Sequence, residues 1–437
     1  MQRQALKALI DWRNTPNHKP LIIKGARQVG KTWLMKEFGR LQFKQTAYIN
    51  FDSNEQMANL FSGDYDIKRL IRGLEIESGI KISPPDTLLI FDEIQECPRA
   101  LTSLKYFNEN APEYSITAAG SLLGVAMHEG TSFPVGKVDF LDLYPLNYFE
   151  FLRALGENKL LDAMEGGDYK LTNSFALKYS DYLRNYYYVG GMPEAAAEYV
   201  KSGDYKKVRQ IQKNILTAYE QDFSKHIPSN TAVKAKMLWN SIPAQLTKEN
   251  HKFIYGLVRH GARAKEYETA MAWICDCGLA YRVHRISKPG LPLKAYEDMS
   301  VFKLYICDVG LLGAMCGLDI KTLLDGNRVY EEFKGSLSEQ YVLQQLKTAQ
   351  DMHISYWSPK AGLAEVDFVV QSGERIVPVE VKAEKNLMAK SLKSYRDKYK
   401  PEISVRTSMA DFRIDNGLMN IPLYLITELA AIIDKQL

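Results

Sequence analysis

Cysteine is scarce in this chain and forms no pattern. There are five in 437 residues, Cys97, Cys275, Cys277, Cys307 and Cys316, an odd number with no C-x-x-C pair. This excludes a disulfide framework and points to reduced thiols. Cys275 and Cys277 would offer a metal two thiolates, but no second pair and no H-x₃₋₅-H cluster accompanies them, so buried helix thiols are the plainer reading. The seven histidines are isolated, leaving no nucleophilic triad and no zinc-protease motif. No run of about 18 apolar residues occurs, so no membrane span is expected. The start, Met1-Gln2-Arg3-Gln4-Ala5-Leu6, lacks the apolar core of a signal peptide. A cytoplasmic protein with no membrane partner is the expectation. Charge of one sign is lacking too: a formal net charge of +4 does not by itself demand nucleic acid, because a local patch matters more than the sum. Internal repeats and low-complexity segments are absent.

With 46% hydrophobic and 25% charged residues, the composition is that of an ordinary globular chain. Its length suggests about two to four domains. The most informative local pattern is Leu21-Ile22-Ile23-Lys24 running into Gly25-Ala26-Arg27-Gln28-Val29-Gly30-Lys31-Thr32. An apolar strand entering G-x-x-x-x-G-K-T is the phosphate-cradling loop of P-loop nucleotide hydrolases. Gly25 and Gly30 let backbone N–H groups curl around phosphates, Lys31 reaches the β- and γ-phosphates, and Thr32 ligates Mg²⁺. The helix expected from Lys31 onward points its positive dipole end at the same anion. ATP and Mg²⁺ are the implied cofactors.

A second apolar run, Thr87-Leu88-Leu89-Ile90-Phe91, is too short for a helix and ends in Asp92-Glu93. It reads as a buried parallel strand. Asp92 would hold the Mg²⁺ through water and Glu93 would polarise the attacking water. The competing account makes both acids the favourable first turn of a helix around Pro98 to Asn108. Tyr114 to Ala119 reads as a further strand, ending in Gly120-Ser121 at the edge where ligands of such sheets bind. Ser121 is therefore either a γ-phosphate contact or a turn serine. Lys137, before a final strand at Val138 to Leu141, faces either a phosphate or solvent.

Four regions follow. Residues 1–146 alternate short apolar runs with helical patterns, predicting a parallel sheet covered by helices. Residues 147–227 read as a helical lid, rich in tyrosine and interrupted at Gly190-Gly191-Met192-Pro193. Tyr186, Tyr187 and Tyr188 there are read as packing residues. Residues 228–327 show three helical patterns and then two strand-like runs, near Leu279 to His284 and Phe302 to Tyr305, which suggests a winged-helix-like unit. Its basic residues Lys248, Lys252, Arg259, Arg263 and Lys265 suit phosphate contacts or simply solvation.

Residues 328–437 carry a different chemistry. Glu339 lies in a helical stretch, Asp367 within Glu365-Val366-Asp367-Phe368, and Glu380-Val381-Lys382 follows Val377-Pro378-Val379, giving D-x₁₂-E-x-K. On an antiparallel hairpin Asp367 and Glu380 converge, and alternation places Glu380 and Lys382 on one face. Glu339, Asp367 and Glu380 could hold Mg²⁺ while Lys382 stabilises charge on a phosphate. A buried structural ion pair is the alternative. The basic segment beyond, with Lys385, Lys390, Lys393, Arg396, Lys398 and Lys400, would draw in a phosphate backbone.

Together these pieces resemble the prokaryotic AAA-like ATPases that carry a C-terminal restriction-endonuclease-like domain of uncharacterised role. Gly25 to Thr32, Asp92-Glu93, Gly120-Ser121, Leu143-Tyr144-Pro145-Leu146, Gly190 to Pro193, Gly335 to Gln340, Glu365 to Phe368 and Glu380 to Lys382 carry the resemblance over nearly the whole chain. It implies an α/β protein with a P-loop ATPase domain at 1–146, a lid at 147–227, a winged-helix-like domain at 228–327 and a PD-(D/E)xK nuclease-like domain at 328–437. Glu339, Asp367, Glu380 and Lys382 fall on the nuclease positions. The segment before the last ATPase strand departs from the family, since Gly136-Lys137 stands where Gly-Arg is usual, and lysine lacks the bidentate fork. The expected function is ATP hydrolysis coupled to a nuclease-like domain acting on DNA or RNA. The alternative is an ATP-dependent regulatory switch whose C-terminal domain is an inactive module binding DNA or a protein partner.

Overall fold

The computed structural model describes residues 1–120, 133–247, 252–321, 328–349, 352–360, 364–384 and 388–435. The chain divides into two compact units, one of Gln2–Tyr144 with Ala272–Leu279, the other of Pro145–Met271 with Ala280–Leu437.

The first unit is built on five strands, β1 (Leu21–Lys24), β2 (Gln45–Asn50), β3 (Thr87–Asp92), β4 (Ser115–Ala119) and β5 (Asp139–Asp142). All pair in parallel, in the order β2-β3-β4-β1-β5. Strand β3 is buried along its whole length because helices cover both faces of such a sheet, which is why it reads as an unbroken apolar run. Strand β2 lies at an edge and starts Gln45-Thr46, polar enough to hide it from a hydropathy reading. The core gathers Ile22, Leu89, Phe91, Leu104 and Ile116, each with no more than a trace of exposure. Fully burying side chains of this size is worth roughly 1.5–3 kcal/mol apiece. Phe91 meets the edges of Phe51, Phe61 and Phe107 at ring-centroid distances of 5.5, 6.2 and 6.4 Å.

This strand order sets the site. Strand β4 lies between β1 and β3, so the loop after β1 and the acids after β3 emerge at the same carboxyl edge, one strand apart. Ser121, just beyond β4, lies outside the described residues.

The second unit opens with a capping box: Glu150 N–H donates to Asn147 Oδ1 at 2.9 Å and Asn147 N–H to Glu150 Oε2 at 3.1 Å, starting the Tyr148–Ala154 helix. The helix Ala176–Val189 stops at Gly190 (φ 70°), and Pro193 begins the next, Pro193–Ser202. Tyr186, Tyr187 and Tyr188 are buried. Gly191 N–H donates to Asp308 Oδ2 at 2.5 Å, while Leu146 N–H donates to Gly191 O at 2.7 Å. The glycine pair therefore does more than break a helix: it lets the backbone approach a buried carboxylate.

Eight strands form the second sheet: β6 (Ala280–Ile286), β7 (Glu297–Ile306), β8 (Met352–Trp357), β9 (Val366–Ser372), β10 (Arg375–Val381), β11 (Ser404–Ser408), β12 (Arg413–Asp415) and β13 (Leu418–Pro422). Their order is β12-β13-β11-β10-β9-β8-β6-β7. Three helices, Ser229–Leu246, Tyr255–Val258 and Ala264–Asp276, precede the β6–β7 hairpin, as the periodicity suggests. The hairpin, however, is no free-standing wing. Arg285 and Ile286 of β6 pair in parallel with Tyr356 and Trp357 of β8, which makes β6–β7 the edge of the C-terminal sheet. Its register depends on a strand some seventy positions further on, a pairing that no local pattern encodes. Among the described residues no helix is long and apolar enough to cross a membrane.

Candidate functional site

Gly25 adopts φ 147°, and a Cβ there would lie 2.2 Å from Leu143 O, so only glycine fits. Gly30 (φ 93°) makes the left-handed step into the helix Lys31–Gln42. Between them Ala26 and Val29 are buried, Arg27 is half-buried and Gln28 is exposed. Buried Arg3 braces the loop, donating to Val29 O at 2.9 Å and to Tyr144 O at 2.5 Å.

Lys31 is buried, and its Nζ donates to Gly25 O and Ala26 O, both at 2.9 Å. Burial pulls its pKa down to about 8 against the opposing pull of Glu93 and Asp92. Thr32 Oγ1 donates to Asp92 Oδ2 at 2.7 Å, and Tyr48 OH donates to the same oxygen at 2.9 Å. Glu93 sits in the left-handed region (φ 50°), unusual for a residue with a side chain, and its Oε2 accepts from Gln95 Nε2 at 2.7 Å. These donors fit a nucleotide polyphosphate with its Mg²⁺: the backbone is curled at two glycines, an ammonium lies in the curl, and a hydroxyl meets a carboxylate beside it.

Three contributors were invisible in the sequence. Tyr48 belongs to β2 and reaches Asp92 only because β2 pairs with β3, with Asn50 opposite Asp92. Gln95 holds Glu93 from the turn Ile94–Glu96. Gly278, from the Ala272–Leu279 segment of the same unit, comes so close that a Cβ would stand 3.1 Å from Ala26 N. Lys137 is engaged by Glu109 at 2.9 Å.

The second constellation lies on β9 and β10. Their antiparallel register pairs Phe368 with Val379, and one step further sets Asp367 beside Glu380. Asp367 Oδ2 accepts from Val381 N–H at 2.7 Å, and Lys382 Nζ lies 2.8 Å from Glu380 Oε1. Glu339, on the helix Arg328–Lys347, is buried and accepts from Tyr305 OH at 3.0 Å. Burial, then the charges of Glu339 and Glu380, push the Asp367 carboxyl well up. Burial likewise raises Glu380 against the pull of Lys382. The structure thus gathers all four residues picked from the sequence.

It also adds two. Lys303 of β7 is fully buried, with its Nζ 2.7 Å from Glu365 Oε1 and 3.5 Å from Glu339 Oε2. The contact with Glu365 is a charge pair and not an aligned hydrogen bond. Although burial favours the neutral amine, Tyr305, Glu339, Glu365 and Asp367 hold Lys303 as ammonium. Among the described residues, no three or more His, Cys, Asp or Glu are arranged to hold a metal ion. Lys303, Lys382 and the Val381 N–H each meet one oxygen of these carboxylates, Glu339, Glu380 and Asp367 in turn.

Of the basic residues near the three helices, Lys252, Arg259, Arg263 and Lys265 are exposed, and Lys248 lies outside the described residues. In the C-terminal segment Lys393, Arg396 and Lys400 line a cavity of about 590 Å³ together with Arg406, whereas Lys385 is outside the described residues.

Three family models match the chain: an AAA domain over residues 17–152, a Domain of unknown function (DUF8612) over 180–322, and a Domain of unknown function (DUF4143) over 334–426. The AAA match spans the phosphate loop, both acids and strands β1 to β5, which makes this part of the chain an AAA-like P-loop domain. No curated protein matches the sequence. Among solved structures the chain is similar to the Walker-type ATPase PABY2304 of Pyrococcus abyssi, at 14% identity over 72% of this chain and 95% of that one, with a TM-score of 0.45. It is also similar to the ORC1 protein of Aeropyrum pernix, solved in complex with DNA, at 11% identity over 73% and 93% with a TM-score of 0.27. Cdc6p of Pyrobaculum aerophilum gives 12% identity over 74% and 93%, with a TM-score of 0.25. At such low scores these likenesses decide neither fold nor function.

Proposed function

We propose that this chain is a Mg²⁺-dependent ATP hydrolase working as a switch, whose C-terminal unit binds nucleic acid without cutting it. The observation that carries the ATPase reading is the meeting of Thr32 Oγ1 and Asp92 Oδ2 at 2.7 Å beside the buried Lys31. Backbone N–H groups of the loop and the Lys31 ammonium would bind the β- and γ-phosphates. Thr32 and Asp92 would hold the magnesium ion, which when bound offsets charge on the phosphate oxygens. Glu93, with one oxygen held by Gln95, would orient the attacking water and take up its proton.

Support for a nucleic-acid partner is the row of cations Lys393, Arg396, Lys400 and Arg406 around one cavity, suited to a phosphate backbone. A phosphodiester-cutting role is favoured by the convergence of Asp367, Glu380 and Lys382. The seating of Lys303 among those acids weighs against it.

Phosphate release by the wild type should exceed that of Glu93→Gln and Lys31→Ala by at least about a hundredfold. Glu93→Gln should still bind a fluorescent ATP analogue, and Lys31→Ala should not. Undiminished hydrolysis in Lys31→Ala would sink the ATPase reading. Metal-dependent cleavage of DNA or RNA that is lost in Asp367→Asn would replace the binding module with a nuclease.

A further inference from the structure

Lys303 occupies a place where a lysine is costly. It is the seventh residue of β7, paired with Val283 of β6 on one side and bridged to Lys252 on the other, and it has no exposed surface. An ammonium persists in such a position only if charge partners surround it. They do: Glu365 Oε1 lies at 2.7 Å, Glu339 Oε2 at 3.5 Å, and the face of Tyr356 has its centroid at 5.0 Å. These acids come from two other parts of the chain, Glu339 from a helix and Glu365 from the entry to β9. Nothing in the local sequence of β7 requires a cation.

We infer that Lys303 is the resident cation of the acidic nest formed by Glu339, Glu365, Asp367 and Glu380, taking the position that the D-x₁₂-E-x-K pattern would give to a divalent metal. Hard divalent ions need several carboxylate oxygens at about 2.0–2.6 Å. Here Glu339 and Glu365 are turned to Nζ of Lys303, one oxygen of Asp367 accepts from Val381 N–H, and one oxygen of Glu380 is held by Lys382. The other oxygen of Glu380 is buried with no hydrogen-bond partner, so the nest retains an acceptor that a small cation could use once Lys303 is gone. The β6–β7 hairpin thus supplies an internal counter-ion that closes the nest to metal. Removing its charge should create a metal site.

This inference rests on reading the C-terminal unit as a binding module, and its test is independent of cleavage and of ATP. The full chain, free of nucleotide, is titrated with Mn²⁺ and free metal is followed by electron paramagnetic resonance. Any weak binding at the phosphate loop is common to every variant and cancels. Wild type and Asp367→Asn should bind the same number of ions. Lys303→Met should bind one more, and Lys303→Met with Asp367→Asn should lose it again. A bound ion that disappears from the wild type on Asp367→Asn alone would overturn the inference, even if no nucleic acid is cut. So would a folded Lys303→Met that gains no ion. If Lys303→Met does not fold, the comparison of wild type with Asp367→Asn still decides.

Discussion

Thr32 Oγ1 donates a hydrogen bond of 2.7 Å to Asp92 Oδ2, joining the first turn of the phosphate-loop helix to the end of β3. Under the proposed function both oxygens would share a magnesium ion, so losing the hydroxyl would remove a ligand and loosen the carboxylate together. Thr32→Val should lower ATP turnover by about a hundredfold or more, whereas Thr32→Ser should stay within about tenfold of wild type. Steady-state phosphate release across a Mg²⁺ titration separates the two. Equal activities would show that the hydroxyl is dispensable.

Tyr48 supplies the second hydroxyl to Asp92 Oδ2, while Lys36 Nζ rests 3.6 Å from the centroid of its ring. Tyr48→Phe keeps the ring and its cation contact but deletes one hydrogen bond to an ionised acceptor. Such a bond is worth about 1.5–3 kcal/mol when its partner is left unpaired, and water can replace part of it at this half-buried position. Turnover should fall by about tenfold or less, well short of the Thr32→Val loss. A Tyr48→Phe defect as deep as Thr32→Val would mean that the tyrosine itself belongs to the reacting centre.

A Cβ at Gly191 would stand 2.1 Å from Leu146 O, against backbone that Gly191 itself holds by a hydrogen bond. Gly203 has a positive φ, 63°, but a Cβ there would meet nothing. Gly191→Ala should therefore cost at least about 3 kcal/mol of stability, while Gly203→Ala should cost only the left-handed penalty of about 1–2 kcal/mol. Urea unfolding of both variants tests the ranking. Similar midpoints would contradict the close approach at Gly191.

His284 is half-buried, its Nδ1 has no hydrogen-bond partner, and burial holds its pKa below the usual 6.5. Glu297 opposes that shift, and Arg282 and His353 reinforce it. Glu297 is itself engaged by His353 at 2.9 Å and by Ser355 at 2.7 Å. With the folded value depressed, the unfolded chain binds the proton first, so stability is intact above 6.5 and is lost as the pH falls through the folded pKa. The urea midpoint should drop between about pH 7.5 and about pH 5, and His284→Leu should drop less. An identical pH dependence in the variant would remove His284 from the account.

Local conformation needed only neighbouring residues. The phosphate loop is a run of consecutive positions that share one backbone, so its course from strand through glycine turn to helix was legible before folding. Strand β3 was legible because burial on both faces demands an unbroken apolar run, and the break at Gly190 to Pro193 because glycine and proline end helices locally. The convergence of Asp367 and Glu380 followed from hairpin alternation alone.

Tertiary structure decided everything that depends on which strands lie side by side. Tyr48 reaches Asp92 because β2 pairs with β3, and the hairpin read as a wing became a sheet edge because β6 pairs with β8. Lys303 is the clearest case. In sequence it is one lysine in a strand, and only the packing of β7 against a helix and the β9–β10 hairpin encloses it among acids. A residue's type and spacing determine what it can donate or accept, whereas strand order and register determine which charge it must neutralise.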